Sequence, residues 1–128
     1  MNTGALGKTY HDGEVIFNQG DEGNCMYVIQ SGQVEVLQEI DSRTVRLAVR
    51  GEGEFFGEMA LFESQARMAT VRALGPAKIL TIDKKNFLRR IHEDPSMAYH
   101  MIKKMSARIR QLSETVTRLE NLLMESSN

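Results

Sequence analysis

The sequence has very little of several residue types, and each shortage excludes a class of protein. Its one cysteine, Cys25, excludes a disulfide within the chain and a zinc or iron–sulfur site built from the cysteines of one chain. We expect Cys25 to be a small buried apolar side chain. The formal net charge of −1 gives no general attraction to nucleic acid or to an anionic membrane.

Long apolar runs are also missing. No stretch of about 18 apolar residues occurs, so nothing in the sequence is predicted to span a membrane. The N-terminal residues MNTGALGK lack the apolar core of a signal peptide, and we expect a cytoplasmic protein. A chain of 128 residues has the length of one domain, so we expect residues 1–128 to form a single domain.

Short apolar runs separated by turn residues fill the first two thirds of the chain. The clusters GDEGN, SG, DSR and GP divide runs that are rich in valine, isoleucine and leucine. In TVRLAVR, every second residue is apolar, and the set Val45, Leu47 and Val49 predicts a strand with one buried face. Short strands at near-regular spacing indicate an antiparallel barrel or jelly roll over residues 10–82.

The period changes at Asp83, which is predicted to cap a short helix over residues 83–93. Asp94 and Pro95 then give a second start signal, and no glycine or proline interrupts the chain from 95 to 124. A helix of that length is about 45 Å long.

Apolar residues in this long helix recur in steps of four and three. They are Ala98, Ile102, Met105, Ile109, Leu112, Val116, Leu119 and Leu123. β-Branched residues fall mostly at heptad position a, and leucine or methionine at d, which favours a parallel two-stranded coil. We therefore predict a homodimer through residues 98–123. The alternative is a helix packed on its own barrel.

The segment FGEMALFESQARMATV, residues 56–71, carries the clearest chemical pattern. Residues 51–66 contain four acidic residues and no basic one, and Arg67 is the first cation after them. A guanidinium offers paired donors to two phosphate oxygens. Gly57 allows a close approach of backbone to ligand. A helical turn that begins at Glu58-Met59-Ala60 would point free N–H groups at the same anion.

Glu58 has a different task in this segment, because a carboxylate does not bind phosphate but accepts hydrogen bonds from hydroxyl groups. An acid and a base on one loop suit a ligand with a sugar hydroxyl beside a phosphate. A Glu58–Arg67 salt bridge that only closes the loop is the alternative that the spacing leaves open.

This segment resembles the phosphate-binding cassette of cyclic nucleotide-binding domains, the module of catabolite-activator-type regulators and of protein kinase A regulatory subunits. The upstream run GEVIFNQGDEGNCMYVIQSGQVEV is similar to the first strands of the same family. The resemblance covers roughly residues 10–124. It implies an eight-stranded antiparallel β jelly roll, or double-stranded β-helix, with flanking helices and a long dimerisation helix over residues 95–124.

The resemblance also implies roles for individual residues. Arg67 would bind the exocyclic phosphate, and Glu58 the ribose 2′-hydroxyl beside the Gly57 carbonyl. Backbone N–H groups of Ala60 and Met68 would contact phosphate oxygens. The full expected set is Gly57, Glu58, Met59, Ala60, Arg67, Met68, Ala69, Leu112 and Ser113, the last two facing the adenine where catabolite-activator-type members carry a Thr-Ser pair.

Met68 bears on which nucleotide is bound. Family members that prefer cyclic GMP often have a threonine after the arginine, so the absence of a hydroxyl at Met68 leads us to expect cyclic AMP, with cyclic GMP less favoured and no metal. We expect a sensor without catalytic activity, related to Crp-type transcription regulators. The chain stops at MESSN after the long helix, and we expect no nucleic-acid contact by the chain itself.

Two other classes of protein remain as alternatives. A cupin-like metal enzyme needs histidines inside the barrel, whereas His11, His92 and His100 fall before the strands or in the helices. A ligand-free module that only dimerises is the second alternative, and the pair Glu58 and Arg67 argues against it.

Overall fold

The structure, a computed structural model, describes residues 7–127. It divides into two compact units, the first ending at Phe87 and the second beginning at Leu88. The strands are β1 (Lys8–Tyr10), β2 (Val15–Phe17), β3 (Cys25–Ile40), β4 (Arg43–Arg50), β5 (Phe55–Phe56) and β6 (Thr70–Asp83). A 3₁₀ turn covers Glu58–Leu61, and the helices are α1 (Lys84–Glu93) and α2 (Ser96–Ser126).

The strands form one antiparallel sheet with the main order β1-β6-β3-β4. β2 also pairs with β6, and β5 with β3, so the two longest strands between them pair with every other strand. The predicted class, mainly antiparallel β with C-terminal helices, is confirmed.

The number of strands differs from the prediction: the described residues form six strands instead of eight. The sequence predicts turns at Gly32 and at Gly75, but β3 and β6 each continue through their glycine. Both glycines have positive φ angles, 84° and 77°, so each strand bends there without ending. A Cβ on Gly32 would lie 2.2 Å from the Pro76 carbonyl oxygen, which shows how closely the two bends approach.

The core lies against β3 and β6. Its main cluster consists of Tyr10, Ile29, Val34, Phe56, Val71, Ala73, Ala77 and Ile79. The β6 members alternate on either side of Gly75, as inward-facing residues of a strand do. The part of the core that β6 supplies therefore consists of apolar residues that the sequence places at period two.

The prediction of a buried face on β4 is wrong. Val45, Leu47 and Val49 are all exposed, and Leu47 retains 51% of its surface. β4 is the last strand in the sheet order and pairs with β3 alone. The alternation therefore identifies a strand correctly, but it does not identify what covers the apolar side.

Both helices begin close to the predicted start signals. The Asp83 carboxylate accepts a hydrogen bond of 2.8 Å from the Asn86 N–H, as a helix cap does. The Asp94 carboxylate accepts one of 3.2 Å from the Ser96 N–H, where α2 begins one residue later than predicted. Six of the eight apolar heptad residues of α2 are exposed: Ile102, Ile109, Leu112, Val116, Leu119 and Leu123.

One buried carboxylate joins three strands on the opposite side of β3 from the core residue Val34. Glu35 is 7% exposed and lies directly across from Arg72 of β6. It accepts hydrogen bonds from Arg72 Nε at 2.6 Å and from Arg46 Nη2 of β4 at 2.8 Å. The bonds from Arg72 and then Arg46 hold the pKa of the Glu35 carboxyl below its usual value.

Glu35→Gln is expected to lower the free energy of unfolding by about 1–2 kcal/mol at neutral pH, because two charge-assisted hydrogen bonds are lost while both arginines are half exposed and regain water. A carboxyl whose pKa is lower in the folded state stabilises above its unfolded pKa, and this contribution is lost as the pH falls through the folded pKa. The difference between the variant and the wild type in the free energy of unfolding should therefore become smaller as the pH falls.

Thermal unfolding between neutral and acidic pH measures this difference. Glu39→Gln is the matched control, because Glu39 is an exposed carboxylate on the same strand. A deficit in Glu35→Gln that is no larger than in the control, or that does not change with pH, would contradict the assignment.

Candidate functional site

Arg67 is held in place by its own backbone. Its N–H donates to the Asp21 carbonyl at 2.7 Å, and its carbonyl accepts from the Gly20 N–H at 2.8 Å. A neighbouring bridge pairs Glu22 with Ala66. The turn cluster before β3 is therefore hydrogen-bonded to the cassette at Arg67. These bonds fix the position of the Arg67 backbone shortly before β6 begins.

The Arg67 guanidinium is buried and carries its charge without an acidic partner among the described residues. The residue is 8% exposed. Nη1 donates to the Gly57 carbonyl at 2.8 Å and Nη2 to the Cys25 carbonyl at 2.9 Å. Nε is buried and has no hydrogen-bond partner within residues 7–127. Since a buried cation is costly unless it is paired, this arrangement is suited to receiving an anion.

The alternative of a Glu58–Arg67 salt bridge is wrong for this structure. Within the described residues, the guanidinium bonds to the carbonyls of Gly57 and Cys25 and not to a carboxylate. Glu58 is the first residue of the 3₁₀ turn and is partly buried. A helical turn therefore does begin where the sequence predicts one, and the acid and the base of the cassette do not neutralise each other.

Two glycines leave the space that the guanidinium fills. Gly57 has a φ of 72°, and a Cβ there would lie 2.8 Å from Arg67 Nη1. A Cβ on Gly23 would lie only 2.3 Å from Arg67 Nε. Sequence reasoning selected Gly57 but missed this role of Gly23, for which the only signal is a turn glycine two residues before β3.

The remaining cassette residues differ in exposure. Met59 and Met68 are exposed, whereas Ala69 is buried. The Ala60 N–H makes only a long hydrogen bond, 3.4 Å, to the Gly57 carbonyl. Donation by this N–H to a phosphate oxygen remains a prediction, as does donation by the Met68 N–H.

Leu112 and Ser113 belong to the second compact unit, where both are exposed on α2. Their place at the nucleotide remains a prediction.

Sequence reasoning also missed the residues that surround the guanidinium on its other sides. The Phe17 ring centroid lies 4.1 Å from Arg67 Cζ, and the Tyr27 centroid 5.6 Å. Burial raises the pKa of the Tyr27 hydroxyl above its usual value. Cys25 is partly buried instead of fully buried, and its thiol lies 3.4 Å from the Tyr27 hydroxyl and 3.9 Å from Arg67 Nη2.

The family model named "Cyclic nucleotide-binding domain" matches residues 7–94, which include the cassette and the residues around Arg67. The chain belongs to the cyclic nucleotide-binding domain family, and the resemblance seen in the cassette is confirmed.

Particular relatives are found in bacteria and in animals. The chain is 30% identical over 105 residues to the cyclic AMP receptor protein of Thermus thermophilus, covering 81% of this chain and 49% of that protein. It is 40% identical over 81 residues to the cGMP-dependent protein kinase egl-4 of Caenorhabditis elegans, covering 61% of this chain and 10% of the kinase. The chain thus spans about half of one relative and a tenth of the other.

Solved structures show the same fold. The crystal structure of the Thermus thermophilus catabolite activator protein superposes with a TM-score of 0.79 at 29% identity, over 88% of this chain and 54% of that one.

Within residues 7–127, no three metal-ligating side chains converge, and no helix has the length and apolar character needed to cross a membrane.

Gly23→Ala is expected to displace the Arg67 guanidinium, because the new Cβ would overlap the end of a flexible side chain while the backbone needs no unusual φ angle. The fold should survive, but the affinity for a cyclic nucleotide should fall about tenfold or more, since the charge-assisted bonds depend on position. Calorimetric titration on the folded variant measures the change.

Gly51→Ala is the matched control, because a Cβ there meets its nearest atoms at 3.9 Å, an ordinary contact. Equal affinities for the two variants would show that the space beside Gly23 has no part in binding.

Proposed function

We propose that this chain is a sensor domain that binds cyclic AMP and acts in a dimeric regulator of the Crp type. The observation that carries the proposal is the Arg67 guanidinium, which is buried, has no acidic partner among the described residues and keeps Nε unbonded. An anion such as a cyclic phosphate would neutralise this charge and accept the remaining donor. We place the protein in the cytoplasm, where such nucleotides are made, and assign it no catalytic step.

The cassette supplies the other contacts in this proposal. The Glu58 carboxylate accepts a hydrogen bond from the ribose 2′-hydroxyl beside the Gly57 carbonyl. Backbone N–H groups of Ala60 and Met68 donate to phosphate oxygens. Met59 and Ala69 complete the lining of the binding site. A small ligand that carries both a hydroxyl group and an anionic group would explain why Glu58 and Arg67 are close in the sequence but do not bond to each other.

Cyclic AMP is the favoured ligand, and cyclic GMP is the second candidate. The names of the two relatives point in different directions, one to cyclic AMP and one to cyclic GMP. The Met68 side chain is exposed and has no hydroxyl to offer a phosphate or a guanine. This absence supports cyclic AMP. A ligand-free dimerisation module is the alternative, and the buried, unneutralised Arg67 disfavours it.

Arg67→Leu should weaken cyclic AMP binding about a hundredfold, because charge-assisted hydrogen bonds are lost and the phosphate is left without its cation. Calorimetry with cyclic AMP, cyclic GMP and 2′-deoxy cyclic AMP measures the affinity and tests the ribose contact of Glu58. Arg43→Leu, which removes an exposed arginine on β4, is the control.

A wild-type protein that binds neither cyclic nucleotide would support the ligand-free alternative. An Arg67→Leu affinity within threefold of wild type would remove Arg67 from the site. A deoxy analogue that binds as tightly as cyclic AMP would leave Glu58 without a ligand role.

The proposed dimer rests on the exposed apolar row of α2. Ile109 and Leu112 keep 63% and 65% of their surface, and they occupy successive a and d positions. A row of this kind in water is a site for another apolar surface, and the heptad spacing fits a second copy of the same helix. Ser113 flanks the row at position e, from where it would hydrogen-bond the adenine held by the other copy.

Replacing Ile109 and Leu112 together with glutamate should convert the dimer to a monomer, since charges placed in a dry seam cost on the order of several kcal/mol. Sedimentation at tens of micromolar measures the state. Ala107→Glu with Asn121→Glu adds the same charge on exposed positions outside the row and should stay dimeric. A wild-type protein that is monomeric at this concentration would contradict the proposed dimer.

A further inference from the structure

Three aromatic rings pack together beside the Arg67 guanidinium, and none of them is among the site residues expected from the sequence. Phe17 lies on β2, Tyr27 on β3 and Phe56 on β5. The ring centroids of Phe17 and Tyr27 are 5.5 Å apart, those of Tyr27 and Phe56 5.1 Å, and those of Phe17 and Phe56 6.0 Å. Phe17 is the ring nearest to the cation, at 4.1 Å from Arg67 Cζ.

The hydrogen bonds of Arg67 do not by themselves fix its orientation. Both lie at the two Nη atoms, where the carbonyls of Gly57 and Cys25 accept them. Two such points still allow the guanidinium plane to tilt about the line that joins them. A ring 4.1 Å from Cζ prevents that tilt and also attracts the cation through its π-electron face.

The burial of this charge makes the ring important before any ligand arrives. Arg67 has no acidic partner among the described residues, so within the chain its charge rests on two carbonyl dipoles and the neighbouring rings. The Gly57 backbone packs against the same rings, because a Cβ there would lie 3.2 Å from Phe17 and 3.3 Å from Tyr27. The rings of Phe17 and Tyr27 therefore lie beside both the cation and the residue that supplies one of its carbonyl acceptors.

We propose that Phe17 is a positioning residue for the bound anion, which keeps the Arg67 guanidinium in a fixed plane with Nε available. The inference rests on the proposed function, since it gives Arg67 a cyclic phosphate as its ligand. It adds that affinity depends on a residue of β2, fifty positions before the arginine, which has no polar atom and makes no hydrogen bond to the ligand.

The test compares Phe17→Leu with Phe17→Tyr. We expect Phe17→Leu to bind cyclic AMP about fivefold to thirtyfold more weakly, the range expected of a desolvated cation–π contact. Phe17→Tyr keeps the ring and should bind within about twofold of wild type. Phe55→Leu is the control for loss of a buried ring, because Phe55 is buried on the same sheet but lies outside the core cluster that Phe17 contacts.

A second measurement reports the position of Arg67 without any ligand. The Nε–H resonance of Arg67, identified by its loss in Arg67→Lys, should be displaced by the ring current in the wild type and in Phe17→Tyr. In Phe17→Leu it should move towards the position of exposed arginines. General loss of packing, as in Phe55→Leu, should leave it unchanged.

These two measurements separate the inference from the function on which it rests. An Nε–H resonance that Phe17→Leu leaves in place would overturn the positioning role, whatever the affinity. So would a Phe17→Leu affinity within twofold of wild type, or a loss no greater than in Phe55→Leu. If the wild type binds no cyclic nucleotide but its Nε–H resonance still depends on Phe17, the proposed function fails and the positioning of Arg67 stands.

Discussion

The positive charge of Arg67, buried without an acidic partner among the described residues, is the constraint on which the rest of the site depends. A cation of this kind costs on the order of several kcal/mol unless nearby groups compensate it. Two backbone carbonyls and an aromatic ring do so in part, and Nε remains unbonded. The anion of the proposed ligand would compensate the rest of this charge without a rearrangement of the guanidinium, which is the preorganisation that favours binding.

Segments far apart in the sequence share the task of holding this charge. The Gly20–Glu22 turn fixes the Arg67 backbone, while Gly57 and Cys25 supply the carbonyls. β3 and β6 join these segments, since between them they pair with every other strand. The Glu35 carboxylate strengthens the same frame on its opposite side, by linking β3 to both β4 and β6.

Exposed apolar surface is the second physical feature of the chain. The apolar side of β4 and the heptad row of α2 both face water in the single chain. Isolated exposed apolar residues are ordinary, but continuous rows are typical of surfaces that meet another protein. The proposed regulatory role would need such a surface, because a ligand changes a distant partner only through contacts that differ between the bound and the free state.

The sequence by itself determined the antiparallel class, the helix starts at Asp83 and Asp94, and the identity of the cassette. These features depend on local rules: period-two alternation, carboxylate caps, and a loop whose glycine, acid and arginine stand at fixed spacing.

Only the tertiary structure decided that β3 and β6 bend at Gly32 and Gly75 without ending, because a glycine in the sequence looks the same whether it lies in a turn or in a bend of a continuous strand. Only the tertiary structure showed that Val45, Leu47 and Val49 are exposed to solvent. The alternation in the sequence shows that the two faces of the strand differ, but it does not show which face is covered. The partners of Arg67 were equally hidden, since backbone carbonyls have no sequence signal and Phe17 is brought to the guanidinium by the pairing of β2 with β6, more than fifty residues later in the sequence.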